Sequence, residues 1–227
     1  MQNLIENAVV YGLENSVRVS KYPMQIDISK CTDEITNKTR SLAGAPRGSG
    51  HDNFLKGILV QFDLTFTVKA WTEAERYHWF DIVSSQSTMH RISKMNIDDC
   101  CCSYVTEKTK KHVKELQQNY LDDPTPENYL LLLYNAPTGI MLTAGISTNY
   151  LQLKTIYGQR HHHMLPEWKW FCSWIESLPY SWMITGKCYE GDEDYRTWPR
   201  GRSGRYVWGI DLSLIHISEP TRHLRIS

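Results

Sequence analysis

Three consecutive histidines, His161, His162 and His163, form the densest group of possible metal ligands in the sequence. Imidazole nitrogens are common ligands of zinc, which holds its ligands in a tetrahedral arrangement. Adjacent side chains on a helix point in different directions, so one ion cannot easily collect all three. We therefore interpret the triplet as a solvated or interface-facing patch and predict no metal site.

The six cysteines do not indicate a disulfide framework or a zinc site. Cys100, Cys101 and Cys102 are adjacent, the other three are scattered, and no C-x-x-C pair exists. Reduced thiols are typical of a cytoplasmic protein, and we expect that location.

The charge balance disfavours two classes of partner. Twenty-five basic residues match 25 acidic ones, so no net field draws the chain to nucleic acid or to anionic lipid.

The longest apolar stretch, residues 129–134, is too short to span a bilayer. No charged and then apolar leader opens the sequence, so we do not expect export.

The clearest local pattern is a strand. Apolar residues at positions 60, 62, 64, 66 and 68 alternate with polar ones, which predicts a half-buried β-strand. Directly after it, Thr72-x-x-Glu75 has the form of a capping box. Because positions 74, 77, 80 and 83 are apolar at helical spacing, we predict a helix from there, followed by a polar segment over 84–93.

Helical spacing recurs elsewhere, at residues 3–19, 105–121, 127–134, 148–157 and 166–178, with a short turn or strand at 139–145. We assign residues 1–190 to one α/β domain and leave 191–211 unassigned. Residues 212–222 resemble the in-frame translation of a transposon-type sequencing adapter, so 212–227 is interpreted as an artefactual tail.

Several short sequence elements lie in a characteristic order along residues 7–182. They are Arg18-Val19-Ser20, Gly50-His51, Phe66-Thr67-Val68-Lys69-Ala70, Arg76, Asn149 with Arg160 eleven residues later, and Glu167. Their order and spacing resemble the flavin-dependent thymidylate synthases. The resemblance implies an α/β (α+β) fold with a central antiparallel or mixed sheet flanked by helices.

The family's signature is Arg-His-Arg, two residues, then Ser-x-Asn-Glu-x-Ser-x-Arg-Tyr. This chain has Phe80-Asp81-Ile82 in place of Arg-His-Arg, and it lacks the Asn-Glu pair and the final Tyr. Ser84 and Arg91 keep the Ser-to-Arg spacing if one residue is deleted, and Ser85 is the alternative without that deletion.

Such enzymes reduce FAD with NADPH and then reduce the methylene group that methylenetetrahydrofolate transfers to dUMP. The cofactors supply the chemistry, and the protein positions them. The resemblance implies that Arg160 is catalytic and contacts the pyrimidine. It implies that Arg91 and Ser84 or Ser85 contact the phosphate of dUMP.

The residues that the resemblance implies for FAD binding are Ser20, His51, Asn53, Arg76 and Asn149. Five of the predicted site residues also have an ordinary structural alternative. Ser20 and Asn149 fit caps or turns, and His51 fits a loop. Arg160 fits a cation at a helix C-terminus, and Arg91 fits a surface charge.

Three functions follow. The first is a flavin- and dUMP-binding thymidylate synthase, which the resemblance implies to be a homotetramer with shared active sites. The second is a nucleotide-binding pseudo-enzyme that lost flavin chemistry with Arg-His-Arg. The third is a structural or assembly protein, such as a viral one, that reuses the fold, because fold alone does not determine function.

Overall fold

An antiparallel sheet is the centre of the fold. The computed structural model describes residues 4–186, so Cys188, the unassigned segment and the adapter-like tail lie outside the described residues. In the described part, the strands are β1 (Ile5–Tyr11), β2 (Leu59–Thr67), β3 (Phe80–Ser85) and β4 (Met141–Asn149). They lie in the order β1-β2-β4-β3, and each neighbouring pair is antiparallel.

Helices surround this sheet, which confirms the α/β prediction. Their bounds are α1 (Leu13–Val19), α2 (Asn37–Ala43), α3 (Val68–Ala74), α4 (Thr88–Arg91), α5 (Ile97–Cys100), α6 (Glu107–Asp122), α7 (Pro126–Tyr134), α8 (Tyr150–Arg160), α9 (Pro166–Glu176) and α10 (Trp182–Thr185). Short 3-10 turns occupy Tyr22–Met24, Ile28–Lys30, Asn53–Gly57 and Ile92–Lys94. Within residues 4–186, no helix is both long and apolar enough to cross a membrane.

The predicted alternation in β2 produces the main core. Val60, Phe62, Leu64 and Phe66 are buried on one face of the sheet, where α9 covers them. The ring of Phe66 lies 5.1 Å from that of Trp168, and Phe62 lies 5.9 Å from Phe171. These aromatic contacts fix α9 against the sheet.

A second, smaller core stabilises the segment between β3 and β4. Its fully buried residues are Ile92, Val113, Leu132 and Ile140, which come from the 3-10 turn after α4, from α6, from α7 and from the approach to β4. This segment contains α6 and α7, both predicted from the sequence.

The prediction of one helix over 3–19 is wrong for its first half. Residues 5–11 form β1, which pairs with β2, and only α1 is helical. Gly12 separates them with φ of 75°. A Cβ there would lie 2.6 Å from the carbonyl oxygen of Gly57, so glycine permits both the left-handed turn and the close approach. β1 is an edge strand with an irregular register, and its apolar spacing therefore resembles that of a helix.

The predicted capping box is also wrong. The N-cap of α3 is Thr67, whose hydroxyl accepts from the Ala70 N–H, so Val68 opens the helix instead of ending the strand. Thr72 lies inside the helix and donates to the carbonyl of Lys69. Phe80 and Val83 belong to β3, where Phe80 is buried and Val83 is exposed, so the two do not share an apolar face.

A buried ion pair joins α8 to the loop before β2. Lys154 Nζ donates to Asp52 Oδ2 at 2.8 Å and to the carbonyls of Ala43 and Ala45 at 2.7 and 2.8 Å. The Asp52 side chain is only 2% exposed. The loop that carries His51 and Asn53 is therefore tied to α8.

We expect Asp52→Ala to lower the free energy of unfolding by about 3–5 kcal/mol, because it leaves the Lys154 charge buried without its partner. Urea unfolding measures the change. The matched control is Glu115→Gln, since Glu115 forms an exposed pair with Lys111 at 3.9 Å and should cost less than about 1 kcal/mol. Equal losses of unfolding free energy in the two variants would show that the buried Lys154–Asp52 pair stabilises the fold no more than an exposed pair does.

Candidate functional site

A cleft of about 350 Å³ opens where the end of α3 meets α8. Its lining residues are polar or aromatic: Arg76, Tyr77, His78, Gln152, Thr155, Gln159 and Arg160. Two of them, Arg76 and Arg160, are site residues predicted from the sequence. They are 84 positions apart, and the fold brings them together.

Arg160 is held in a fixed orientation. As the last residue of α8, it donates through Nε to the Tyr77 hydroxyl at 2.7 Å and through Nη1 to Glu73 Oε2 at 2.8 Å. Its guanidinium carbon lies 4.8 Å from the centre of the Trp168 ring. The side chain is 13% exposed. Arg160 is thus a cation at a helix C-terminus, as the alternative interpretation proposed, but it also lines the cleft.

The Tyr77 hydroxyl continues this network. It accepts the bond from Arg160 and donates to Gln159 Oε1 at 3.0 Å. Gln159 and Arg160 of α8 are thereby joined to Tyr77, which lies three residues beyond the end of α3. The guanidinium cannot turn without breaking both this bond and its bond to Glu73.

Glu73 is the anion that balances the site. It accepts from Lys69 at 3.1 Å and from the Trp168 indole at 3.2 Å, and its Oε2 lies 3.3 Å from His163 Nε2. Burial opposes ionisation of Glu73. The hydrogen bond from Lys69 and the charges of His163 and Arg160 outweigh burial and lower its pKa below the ordinary value.

Arg76 provides a charge that is not neutralised in this way, and His78 lies near it in the sequence and lines the same cleft. Both are exposed, just after α3. In the described part of the chain, neither forms an ion pair or a side-chain hydrogen bond. Gln152 and Gln159 of α8 line the same cleft, and their amide N–H groups add donors suited to a small anionic ligand.

The remaining predicted site residues do not line this cleft. Ser84 and Ser85 are exposed on β3, and Arg91 is exposed at the end of α4. His51 and Asn53 are exposed in the loop before β2. Their roles stay predictions.

Two predicted flavin contacts are caps in the structure. Asn149 is the N-cap of α8, where Oδ1 accepts from the Gln152 N–H at 2.9 Å. Ser20 follows α1 and donates to the carbonyl of Val17 at 2.7 Å. Both are buried, in agreement with the alternative interpretation. A cap does not exclude a further contact to a ligand.

The residues in place of Arg-His-Arg lie on β3. Phe80 is buried in the main core, 5.7 Å from the Phe171 ring, while Asp81 and Ile82 are exposed. Phe80 therefore has a packing role. The family's signature begins with Arg at this position, so this chain has an apolar ring in place of a cation.

Sequence reasoning missed Glu73, Tyr77 and His78, and it read His163 only as part of a patch. One signal was present: Lys69 and Glu73 are four residues apart, a spacing at which helical side chains meet. His163 turns toward Glu73, whereas the His161 ring stacks on Tyr157 at 5.2 Å. Nothing in the local sequence separates these two histidines.

A search by sequence finds neither a matching family model nor a matching characterised protein at a significant level. Solved structures do match the fold. One is flavin-dependent thymidylate synthase ThyX from Helicobacter pylori complexed with FAD and dUMP, with a TM-score of 0.62 and 14% identity over 81% of this chain and 97% of that chain. A second structure of this enzyme with FAD and dUMP gives a TM-score of 0.61 and 13% identity, over 80% and 95% of the two chains. The chain therefore has a ThyX-like fold, as the sequence elements predicted.

We expect Glu73→Gln to lower the free energy of unfolding at pH 7 by about 3 kcal/mol, because Arg160 loses a mostly buried counter-charge. The folded-state pKa of Glu73 lies below its ordinary 4.5. Its contribution to stability is therefore complete above pH 4.5 and is lost as the pH falls through the lowered value. The difference between wild type and variant should shrink in acid.

Urea unfolding over a pH series measures this difference. Glu75→Gln is the matched control, since Glu75 is exposed two residues further along. A difference that stays constant from pH 7 into the acid range would show that the Glu73 charge does not support the fold.

Proposed function

We propose that this chain is a divergent flavin-dependent thymidylate synthase-like protein that binds dUMP in the cleft between α3 and α8. One observation carries the proposal: Arg76, His78 and Arg160 converge on one cleft. The fold is similar to that of enzymes solved with FAD and dUMP. Both the fold and the donor set fit a nucleotide of one phosphate.

The phosphate of the nucleotide binds Arg76. A guanidinium presents parallel N–H donors that match two phosphate oxygens, and that of Arg76 is not engaged by any described residue. His78 supplies a further donor, and it adds charge when it is protonated. The size of the cleft suits a mononucleotide better than a dinucleotide.

Arg160 faces the pyrimidine. Its guanidinium is held by Tyr77 and Glu73 before any ligand arrives, so no reorganisation is needed when negative charge develops on the ring. Glu73 reduces the net charge of this donor but does not remove its N–H groups. Arg160 therefore orients and polarises the ring, while Arg76 provides most of the attraction for the phosphate.

FAD, when bound, supplies the reducing equivalents for the methylene group transferred to dUMP, with NADPH and methylenetetrahydrofolate as co-substrates. His51 and Asn53 are exposed polar residues that can reach such a cofactor, and the Lys154–Asp52 pair holds their loop in place. The cleft of one chain is small for a dinucleotide. We therefore propose that a cytoplasmic homotetramer completes each site, with Ser84 or Ser85 and Arg91 reaching the phosphate from a neighbouring subunit.

A second function, nucleotide binding without turnover, is favoured by the residues that replace Arg-His-Arg. Phe80 is committed to the core, and Asp81 places a negative charge where the family has an imidazole. A protein that keeps Arg76 and Arg160 but loses these groups retains the nucleotide and loses the flavin chemistry.

We expect the full chain to bind FAD saturably, with a visible absorbance spectrum, and dUMP to tighten that binding. Flavin titration with and without dUMP measures this. If flavin binds, consumption of NADPH and formation of dTMP from dUMP test turnover. Binding of dUMP by a sample that never binds flavin would support the second function. A folded sample that binds neither ligand would exclude both.

We expect Arg76→Ala to weaken dUMP binding by about tenfold or more, since a charge-assisted hydrogen bond contributes roughly 1.5–3 kcal/mol. Isothermal titration calorimetry measures the dissociation constant of dUMP for the variant and the wild type. Lys111→Ala removes the same charge from an 80% exposed side chain of α6 and should leave affinity unchanged. Equal weakening in the two variants would indicate a general charge effect instead of a site.

A further inference from the structure

A second and larger cavity, of about 770 Å³, lies between α9, the end of β2 and the loop that follows α5. It shares no lining residue with the cleft between α3 and α8. A cavity of this volume is in the range that holds small organic ligands. The proposed function uses none of its residues, so the two sites can be tested separately.

Aromatic side chains form much of its wall. Trp170 and Trp174 are four residues apart on α9 and therefore lie on the same side of the helix. Trp170 is 40% exposed, which is unusual for a side chain of this size, and Tyr104, which also lines the cavity, is exposed. Leu4 and Met141 add apolar surface. Such walls favour a flat, largely apolar ligand.

The charged groups of the cavity are all acidic. Asp99 and Glu167 line it, and its lining contains no lysine, arginine or histidine. A phosphate or carboxylate ligand would meet repulsion there. A cation is attracted both by the carboxylates and by the faces of the indole rings.

Glu167 carries the more specific signal. Its Oε1 accepts from the Thr67 hydroxyl at 2.5 Å, but Oε2 is buried and has no hydrogen-bond partner within residues 4–186. A buried acceptor without a donor costs about 1–3 kcal/mol. Oε2 has almost no exposed surface, so a ligand reaches it only when the carboxylate turns about its last torsion, which is soft.

Cys101 adds no negative charge to the cavity. Burial raises the pKa of the Cys101 thiol to about 12, so this group stays neutral. The cavity therefore combines aromatic walls with the carboxylates of Asp99 and Glu167.

We propose that this cavity binds a small aromatic cation, of the amidinium or protonated arylalkylamine class. Its ring packs against Trp170 and Trp174, and its N–H groups donate to the Glu167 carboxylate. An amidinium suits this position because it carries a delocalised positive charge together with N–H groups that can donate to a carboxylate oxygen.

The test uses benzamidine on the full chain, with benzamide as the neutral analogue of the same shape and benzoate as the anionic one. Isothermal calorimetry should give saturable binding of benzamidine at one site per chain and at least about tenfold weaker binding of benzamide. Glu167→Gln should weaken benzamidine binding by about tenfold or more and leave benzamide nearly unchanged. The matched control Glu115→Gln, on exposed α6, should change neither.

Trp170→Leu gives an independent measure, because it removes an indole from the wall but leaves the carboxylate in place. It should weaken benzamidine and benzamide alike. Several outcomes would overturn the proposal: benzoate binding as tightly as benzamidine, the same benzamidine affinity in Glu167→Gln and wild type, or no saturable binding. Binding of N-acetylargininamide instead of benzamidine would also overturn it, since the ligand would then be a guanidinium of a polypeptide.

Discussion

The pairing of β2 with β4 fixes where α3 and α8 begin. The two strands match over nine residues, from Leu59 opposite Asn149 to Thr67 opposite Met141. Because they are antiparallel, α3 leaves one end of the pair and α8 leaves the other. The eleven residues of α8 extend about 16 Å, and its last residue reaches the end of α3. The cleft exists because these two helices meet.

The meeting point is stabilised by charge balance as well as by packing. Arg160 and Glu73 are both mostly buried, and each would be costly without the other. Lys69 and the Trp168 indole donate to the same carboxylate, and His163 Nε2 lies 3.3 Å from it. Glu73 therefore fixes Arg160 and reduces its charge, while Arg76 keeps its charge at the rim. In the proposed site, Arg160 therefore orients the ligand, and Arg76 provides most of the attraction for its negative charge.

The two cavities differ in charge although α8 and α9 follow one another closely. The smaller contains Arg76, His78 and Arg160, and the larger contains Asp99 and Glu167. They therefore favour ligands of opposite sign. Trp168 and Glu167 are neighbours in the sequence, yet Trp168 packs over Arg160 and Glu167 lines the acidic cavity. One turn of α9 thus contributes to both sites.

Sequence patterns are enough to predict β2, α6, α7, α8 and α9, and the order and spacing of several short elements, among them Asn149 and Arg160, imply the fold class. It could not separate β1 or β3 from helices, because an edge strand with an irregular register loses the period of two that identifies a strand. The grouping of Glu73, Tyr77 and His163 around Arg160 is visible only in the folded chain. Glu73 and Tyr77 come from a segment more than 80 residues away from Arg160, and their contacts with it depend on where two helices end, which no local pattern records.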